Sequence, residues 1–185
     1  MADIQMMEEK WRIVFKLIDI DKNGMVTVKD RDACKTNFSN LSPPDCVQIS
    51  VNLDQFWDNL MFPGESPDWS QELSEDQFVS KYKEVFLKDK AVAKQRISDA
   101  LNHLLLAADL NKDKIFTFEK FFKFHEAFNL GHDIVVRTTF DLVGPSAEDT
   151  CTFDKVHDFY VELFIGENKD KFESLKSAYR AIGML

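Results

Sequence analysis

The chain has 185 residues, enough for one compact domain or two small ones. Its 44% hydrophobic and 30% charged residues are typical of a folded globular protein and argue against a disordered chain. A formal charge of -9 argues against nucleic-acid binding, which depends on clustered lysine and arginine. No apolar run approaches the length of a membrane span and the N-terminus lacks a signal-peptide pattern, so we expect a cytoplasmic protein.

The first strong motif is the twelve-residue segment from Asp19 to Asp30, which has the ligand spacing of a calcium-binding loop. Calcium and magnesium are hard cations that take oxygen ligands, and this spacing arranges oxygens around one point. Gly24 stands where the chain needs a positive φ to turn back. The predicted metal ligands are the side chains of Asp19, Asp21, Asn23, Thr27 and Asp30 and the backbone carbonyl of Met25.

The sequence on both sides of this loop is typical of helices. After the loop, Thr27 and Asp30 have the separation of a helix N-cap and its partner. Before it, apolar residues recur at helical spacing, namely Met7, Trp11, Val14, Phe15 and Ile18. We therefore predict a helix-loop-helix metal site rather than an exposed acidic turn.

Two apolar markers of the first loop recur along the chain. One stands four residues before the loop, and the other occupies loop position 8, where paired loops form a short β-bridge. The position-8 residues are Val26, Leu73, Phe116 and Cys151, and a threonine or serine able to cap a helix follows each of them. The repeat predicts an all-α fold of four EF-hand (helix-loop-helix) units, paired into one compact body with short β-bridges between paired loops. The predicted loops span residues 19–30, 66–77, 109–120 and 144–155.

These units predict the domain organisation. We expect an N-terminal EF-hand pair over residues 1–87, a C-terminal pair over 88–165, and a tail over 166–185 that packs on the body. A linker from Ser39 to Pro44 is expected between the first two units. In the tail, helical spacing favours one amphipathic helix with an apolar face formed by Phe172, Leu175, Tyr179 and Ile182.

The second and fourth loops have lost most of their metal ligands. The second has Asp68 as its one carboxylate at a ligand position and Gln77 at position 12. The fourth ends in Lys155, and only Glu148 and Asp149 could support a weak local site. We expect both loops to be structural.

The third loop is ambiguous. Asp109, Asn111 and Asp113 keep the first three ligand positions, whereas Lys114 replaces the glycine and Lys120 replaces the carboxylate at position 12. A positive charge at that position repels a metal ion at short range. We predict that the Lys120 ammonium is a built-in cation that holds the carboxylates of this loop without metal, although weak metal binding there stays open.

Position 12 of the first loop also departs from the common pattern, because Asp30 replaces the usual glutamate. Aspartate is one methylene shorter, so it reaches the ion with one oxygen rather than two. The six short bonds that result suit magnesium, whereas calcium takes seven or eight longer ones. We therefore predict reduced calcium selectivity, with magnesium competing for the site.

With four helix-loop-helix units and a long stretch from Lys88 to Ala108, the chain resembles the invertebrate sarcoplasmic calcium-binding proteins and their relative calexcitin over essentially its whole length. The resemblance implies a compact body with a docked C-terminal tail. It also implies calcium and magnesium buffering or, for calexcitin, calcium signalling. Members of these families usually keep two or three working loops, whereas one is intact here.

Two other functions stay open at this stage. The chain could be a calcium-modulated regulator of a protein partner, or a carrier of an apolar ligand, since it also resembles luciferin-binding proteins. His157, Tyr160 and Tyr179 are the candidate cavity residues for a carrier. His125 begins a zinc-protease pattern whose second histidine is replaced by Asn129, so we expect no enzyme. We expect a monomer.

Overall fold

The computed structural model describes residues 3–41, 46–181 and 183, of Cys46 the backbone only. In chain order the elements are α1 (Ile4–Ile18), β1 (Met25–Val26), α2 (Val28–Leu41), α3 (Cys46–Met61), β2 (Leu73–Ser74), α4 (Glu75–Lys88), α5 (Lys90–Ala108), β3 (Ile115–Thr117), α6 (Phe118–Glu126), α7 (Asp133–Val143), β4 (Thr150–Thr152), α8 (Phe153–Ile165) and α9 (Lys169–Ala181). Within these residues, no helix is both long enough and apolar enough to cross a membrane.

The strands form two antiparallel pairs, each of which joins two loops. β1 pairs with β2 so that Val26 lies opposite Leu73, and β3 pairs with β4 so that Phe116 lies opposite Cys151. These are the four position-8 residues, so the predicted pairing of the first loop with the second and of the third with the fourth is confirmed. The predicted all-α class with short β-bridges is confirmed as well.

Hydroxyl side chains fix the start of the helix that leaves each of the last three loops. Ser74 caps α4 in a complete capping box, while Thr117 caps α6 and Thr152 caps α8. Each oxygen accepts a hydrogen bond from a backbone N–H that has no partner within its helix. The predicted caps are therefore confirmed, and they hold residue 12 of each loop at the same place in the first helical turn.

An aromatic cluster joins the N-terminal and C-terminal halves of the chain. Phe38 of α2 and Phe56 and Trp57 of α3 surround Phe128, which follows α6, with ring centroids 5.9 Å, 6.2 Å and 6.5 Å from its own. Phe38 also meets Phe124 of α6 at 6.4 Å. Aromatic pairs at these distances stabilise a fold beyond the burial of their area. Both halves therefore contribute to one hydrophobic core.

Helix packing also connects the two halves. α3 packs along α5, and α1 packs on α8. On α1, the buried Lys10 ammonium donates to the carbonyls of Glu162 at 2.7 Å and Gly166 at 2.6 Å, at the C-terminal end of α8. The C-terminal end of a helix carries a partial negative charge, so a cation at that end is favourable.

The tail forms α9, which lies against the body. Phe172, Leu175 and Tyr179 are buried, and the Tyr179 hydroxyl lies 3.0 Å from the Thr139 hydroxyl of α7. The Lys176 ammonium pairs with Glu9 of α1 at 2.8 Å. Ile182, which the sequence places on the same apolar face, lies outside the described residues.

The prediction of a linker from Ser39 to Pro44 is wrong for its first half. α2 continues through Leu41, so the residues from Ser39 to Leu41 are helical. Phe38 is fully buried and anchors the last turn of α2, so its packing overrides the modest helix propensity of Ser39 and Asn40. The residues from Ser42 to Pro44 lie outside the described part of the chain.

Candidate metal site

The first loop closes on the carboxylate of Asp19, its first residue. One oxygen of Asp19 accepts the backbone N–H of Asn23 at 3.2 Å, and the other accepts that of Gly24 at 2.9 Å. Gly24 has a φ of 85°, in the left-handed region that favours glycine. The aspartate that begins the loop thus also holds the sharp turn that brings the later ligands back.

The structure brings three predicted ligands together. Asp19, Asp21 and Asp30 each offer a carboxylate oxygen, and these three oxygens all lie within 4.8 Å of one another. Calcium bonds of about 2.3–2.6 Å put opposite ligands roughly 5 Å apart, so these oxygens fit around one cation. Asp19 and Asp30 are buried, whereas Asp21 is exposed. The arrangement concentrates the negative charge of three carboxylates around one point in the loop.

Asp30 is held in place by backbone donors. One of its oxygens accepts the N–H groups of Ile20 at 2.9 Å and Asp21 at 3.3 Å, and the other accepts that of Thr27 at 2.9 Å. The Thr27 hydroxyl in turn accepts the N–H of Lys29, at the start of α2. The predicted cap on α2 is confirmed. Because both oxygens of Asp30 already accept backbone hydrogen bonds, they offer few free lone pairs to an ion.

The remaining predicted ligands lie in the same loop. The Asn23 amide nitrogen donates to Asp21 at 2.8 Å, while its side-chain oxygen accepts the N–H of Met25. Met25 lies in β1, and the Thr27 hydroxyl lies 3.4 Å from an Asp30 oxygen. Lys22, at loop position 4, directs its ammonium to the carbonyl of Lys16 in α1.

In the second loop, neutral side chains donate to the one carboxylate at a ligand position. One Asp68 oxygen accepts the Ser70 hydroxyl at 2.6 Å, and the other accepts the Gln71 amide at 2.9 Å. At position 12, Gln77 accepts the backbone N–H of Ser74 and so completes the helix cap. The side chain that would close a metal site therefore serves the start of α4.

In the third loop, the Lys120 ammonium lies among the remaining oxygen ligands. It donates to Asp109 and Asp113 at 2.8 Å each and also to the side-chain oxygen of Asn111. Its hydrogen bond to Asp113 is the main reason that the pKa of that carboxyl falls to about 2. The predicted contact between Lys120 and the carboxylates of its loop is confirmed.

The fourth loop is closed by two basic side chains. The Lys155 ammonium at position 12 donates to the carbonyl of Gly144 at 2.9 Å. Arg137 of α7 donates to both oxygens of Asp149, at 2.8 Å and 2.7 Å. The weak local site suggested by Glu148 and Asp149 is therefore not supported, because a guanidinium occupies both oxygens of Asp149. Arg137 lies before the loop, so ligand spacing gave no signal for this contact.

Comparison with known proteins agrees with this architecture. No family model matches the chain. The sarcoplasmic calcium-binding protein of Mizuhopecten yessoensis is 27% identical over 177 residues, which cover 93% of this chain and 97% of that protein.

Two solved structures have similar folds. The coelenterazine-binding protein from Renilla muelleri, in its calcium-loaded apo form, superposes with a TM-score of 0.72 at 14% identity, covering 93% of this chain and 96% of that one. The structure of n-aequorin superposes with a TM-score of 0.70 at 13% identity, covering 96% of each chain. At these identities the likeness concerns the fold alone. The chain has an EF-hand fold, and it is similar over nearly its whole length to the sarcoplasmic calcium-binding protein of Mizuhopecten yessoensis.

Proposed function

We propose that this chain binds one calcium ion per molecule in its first loop, as a cytoplasmic monomer without enzymatic activity. The observation that carries the proposal is the convergence of oxygens from Asp19, Asp21 and Asp30 within 4.8 Å. Carboxylates this close repel one another, and a divalent cation relieves that repulsion. The proposed ligands are Asp19, Asp21, Asn23, the carbonyl of Met25, Thr27 and Asp30.

The residues at position 12 of the four loops support one metal site rather than four. It holds a carboxylate in the first loop only, and elsewhere it holds Gln77, Lys120 and Lys155. Each of these three side chains already bonds within its own loop. The choice of calcium is supported by the relative from Mizuhopecten yessoensis, which is by name a calcium-binding protein.

Magnesium is proposed as a competitor at the same site. Asp30 accepts three backbone N–H groups, which leaves little capacity for a second bond to the ion. A one-oxygen contact at position 12 favours six short bonds, the geometry that magnesium requires. This character of Asp30 distinguishes the site from loops with a glutamate at position 12.

A calorimetric calcium titration of the Asp21→Asn variant tests the proposal. Asp21 is exposed, so removing its charge leaves the core intact. We expect the loss of this ligand charge to weaken calcium binding by about tenfold or more, equivalent to at least about 1.4 kcal/mol. Asp32→Asn is the matched control, because Asp32 is exposed and pairs with Arg31 outside the loop. Equal affinities in the two variants contradict the proposed site.

The same titration in millimolar magnesium tests the competition. We expect magnesium to weaken the apparent calcium affinity of the native chain, because both ions occupy one set of oxygens. An apparent calcium affinity that does not change with magnesium contradicts this part of the proposal.

The carrier alternative has less support. A small apolar cavity lies between Leu104, Phe124, His125, Tyr160 and Tyr179, and its volume is about 50 Å³. Sites for small organic ligands commonly have volumes of about 300–1,000 Å³. A ligand of chromophore size would therefore have to displace core side chains to enter this cavity.

A further inference from the structure

The third loop contains a cation of the protein itself at the place where a metal ion would lie. In the third loop, the three N–H donors of the Lys120 ammonium match three acceptors, one each on Asp109, Asn111 and Asp113. These acceptors are the side-chain oxygens at loop positions 1, 3 and 5. The ammonium thus takes the oxygens that a metal ion in this loop would need.

The surroundings of Lys120 hold its ammonium in that position. Its side chain is 12% exposed, and that of Asp109 is 3% exposed. The ammonium also lies 5.4 Å from the ring centre of Phe116, the β-bridge residue of the same loop, at a distance typical of a cation–π contact. Thr117 accepts the backbone N–H of Lys120, so the base of the side chain is fixed by the helix cap.

The backbone of the third loop already has the turn of a metal loop. Lys114 stands at the position of Gly24 and has a φ of 58°, in the left-handed region. Its N–H donates to Asp109 at 3.0 Å, as that of Gly24 donates to Asp19 at 2.9 Å. A non-glycine residue adopts this conformation at some cost, so the loop requires contacts that hold it closed.

The fourth loop has a related construction. Lys155 stands at the same loop position as Lys120 and donates to the carbonyl of Gly144, at position 1. Arg137 holds Asp149, which has a φ of 56° at the position of Lys114 in the third loop. Both C-terminal loops are therefore closed by basic side chains of the protein.

We propose that the third loop is a latent divalent-cation site whose ion position is permanently occupied by the Lys120 ammonium, and that the C-terminal pair keeps its closed geometry at every calcium concentration. A metal ion can enter only by displacing the ammonium from three hydrogen bonds, or by lying within a few ångströms of a like charge. This inference goes beyond the proposed function, and it does not depend on binding in the first loop.

The direct test replaces the internal cation with the missing ligand. Lys120→Glu removes the positive charge and supplies a carboxylate at position 12. We expect calorimetry to show one additional calcium equivalent per chain, both in the native background and in an Asp21→Asn background. A folded Lys120→Glu chain with no additional equivalent in either background overturns the inference. Because the difference is counted within each background, failure of the first loop to bind calcium does not alter this result.

A neutral variant tests the stabilising role of the ammonium. Lys120→Met preserves the length of the side chain but removes the charge, so we expect a lower melting temperature in chelator and a partial recovery on addition of calcium. Lys123→Met is the matched control on the same helix, because Lys123 makes an exposed ion pair with Glu119 and should change neither quantity. A Lys120→Met chain as stable in chelator as the Lys123→Met control overturns the inference, including where Lys120→Glu does not fold.

The native chain supplies a third readout. On calcium addition we expect the backbone amide resonance of Lys114 to keep its position, whatever the resonance of Gly24 does. Movement of the Lys114 resonance at calcium concentrations that saturate one site would show that the third loop takes up the ion, contrary to the inference.

Discussion

Asp30 has two structural roles in the first loop. It accepts the N–H groups of Ile20 and Asp21 at the start of the loop and that of Thr27 at its end, so it ties the two ends together. It also contributes one oxygen to the cluster with Asp19. The length of this side chain therefore sets both the closure of the loop and the number of oxygens available to an ion.

Lengthening this side chain should change the preferred ion. In Asp30→Glu the extra methylene lets the carboxylate reach the ion with both oxygens, so we expect calcium affinity to rise by about tenfold and magnesium competition to weaken. Paired calcium titrations with and without magnesium measure both quantities. Asp32→Glu adds the same methylene outside the loop and should leave them unchanged. A ratio of calcium to magnesium affinity equal to that of the native chain contradicts the role given to Asp30.

His125 makes stability depend on pH. It is buried, and its Nδ1 donates to the carbonyl of Phe121 at 2.8 Å while its Nε2 accepts the Tyr160 hydroxyl at 2.9 Å. Burial lowers the pKa of His125 from 6.5 to about 4. Between these values the unfolded chain binds a proton that the folded chain does not, so the free energy of unfolding falls as the pH falls.

This difference predicts a loss of about 2 kcal/mol in the free energy of unfolding between pH 7.5 and pH 5. His125→Gln removes the titrating ring and should lose that part of the pH dependence, whereas His103→Gln, at a partly exposed position, should retain it. Denaturant unfolding at the two pH values measures the effect. A pH dependence in His125→Gln as steep as that of the native chain would show that His125 is not its source.

Among the elements, α2 connects the candidate site to the rest of the molecule. It begins at Val28, within the loop, and includes Asp30. About two turns after Asp30, Phe38 enters the aromatic cluster with Phe124 and Phe128. The loop itself contacts the C-terminal half, because the Asn129 amide donates to the carbonyl of Ile20 at 3.3 Å. The first loop is therefore in direct contact with the segment between α6 and α7.

Removing the Phe38 ring should weaken the contact between the halves. Phe38 is fully buried, so we expect Phe38→Ala to reduce the free energy of unfolding by about 3–5 kcal/mol, through lost burial and the cavity it leaves. Leu87→Ala is the control, because Leu87 is 64% exposed and its truncation should cost less than about 0.5 kcal/mol. Denaturant titration measures both, and a cost for Phe38→Ala as small as that control contradicts the shared core.

The loops show what the sequence can predict at this scale. Ligand spacing and the position-8 residues identified four units and the opposition of Val26 with Leu73, because these features are local and repeat. The ammonium of Lys120 was predictable for the same reason. The pairing of Arg137 with Asp149 and the capping of α8 by Lys10 were not, because they join side chains brought together only by tertiary packing. The end of α2 was missed because burial of Phe38 overrides local propensity.

At the scale of the whole molecule, the two EF-hand pairs differ in where their cations come from. The C-terminal pair uses Lys120, Lys155 and Arg137, which belong to the chain. The first loop instead leaves Asp19, Asp21 and Asp30 together in an arrangement that fits an external ion. Because both pairs share one core, the half that contains the proposed metal site packs directly against the half whose loops are closed by basic side chains.

The number of calcium ions bound per chain tests this account most directly. Calorimetric titration of the native protein should give one equivalent, and Asp19→Asn should abolish it because Asp19 contributes a ligand oxygen and holds the turn at Gly24. Two or more equivalents would show that a loop with glutamine or lysine at position 12 also binds calcium. No binding by the native chain, or one equivalent retained in Asp19→Asn, would contradict the assignment of the site to the first loop.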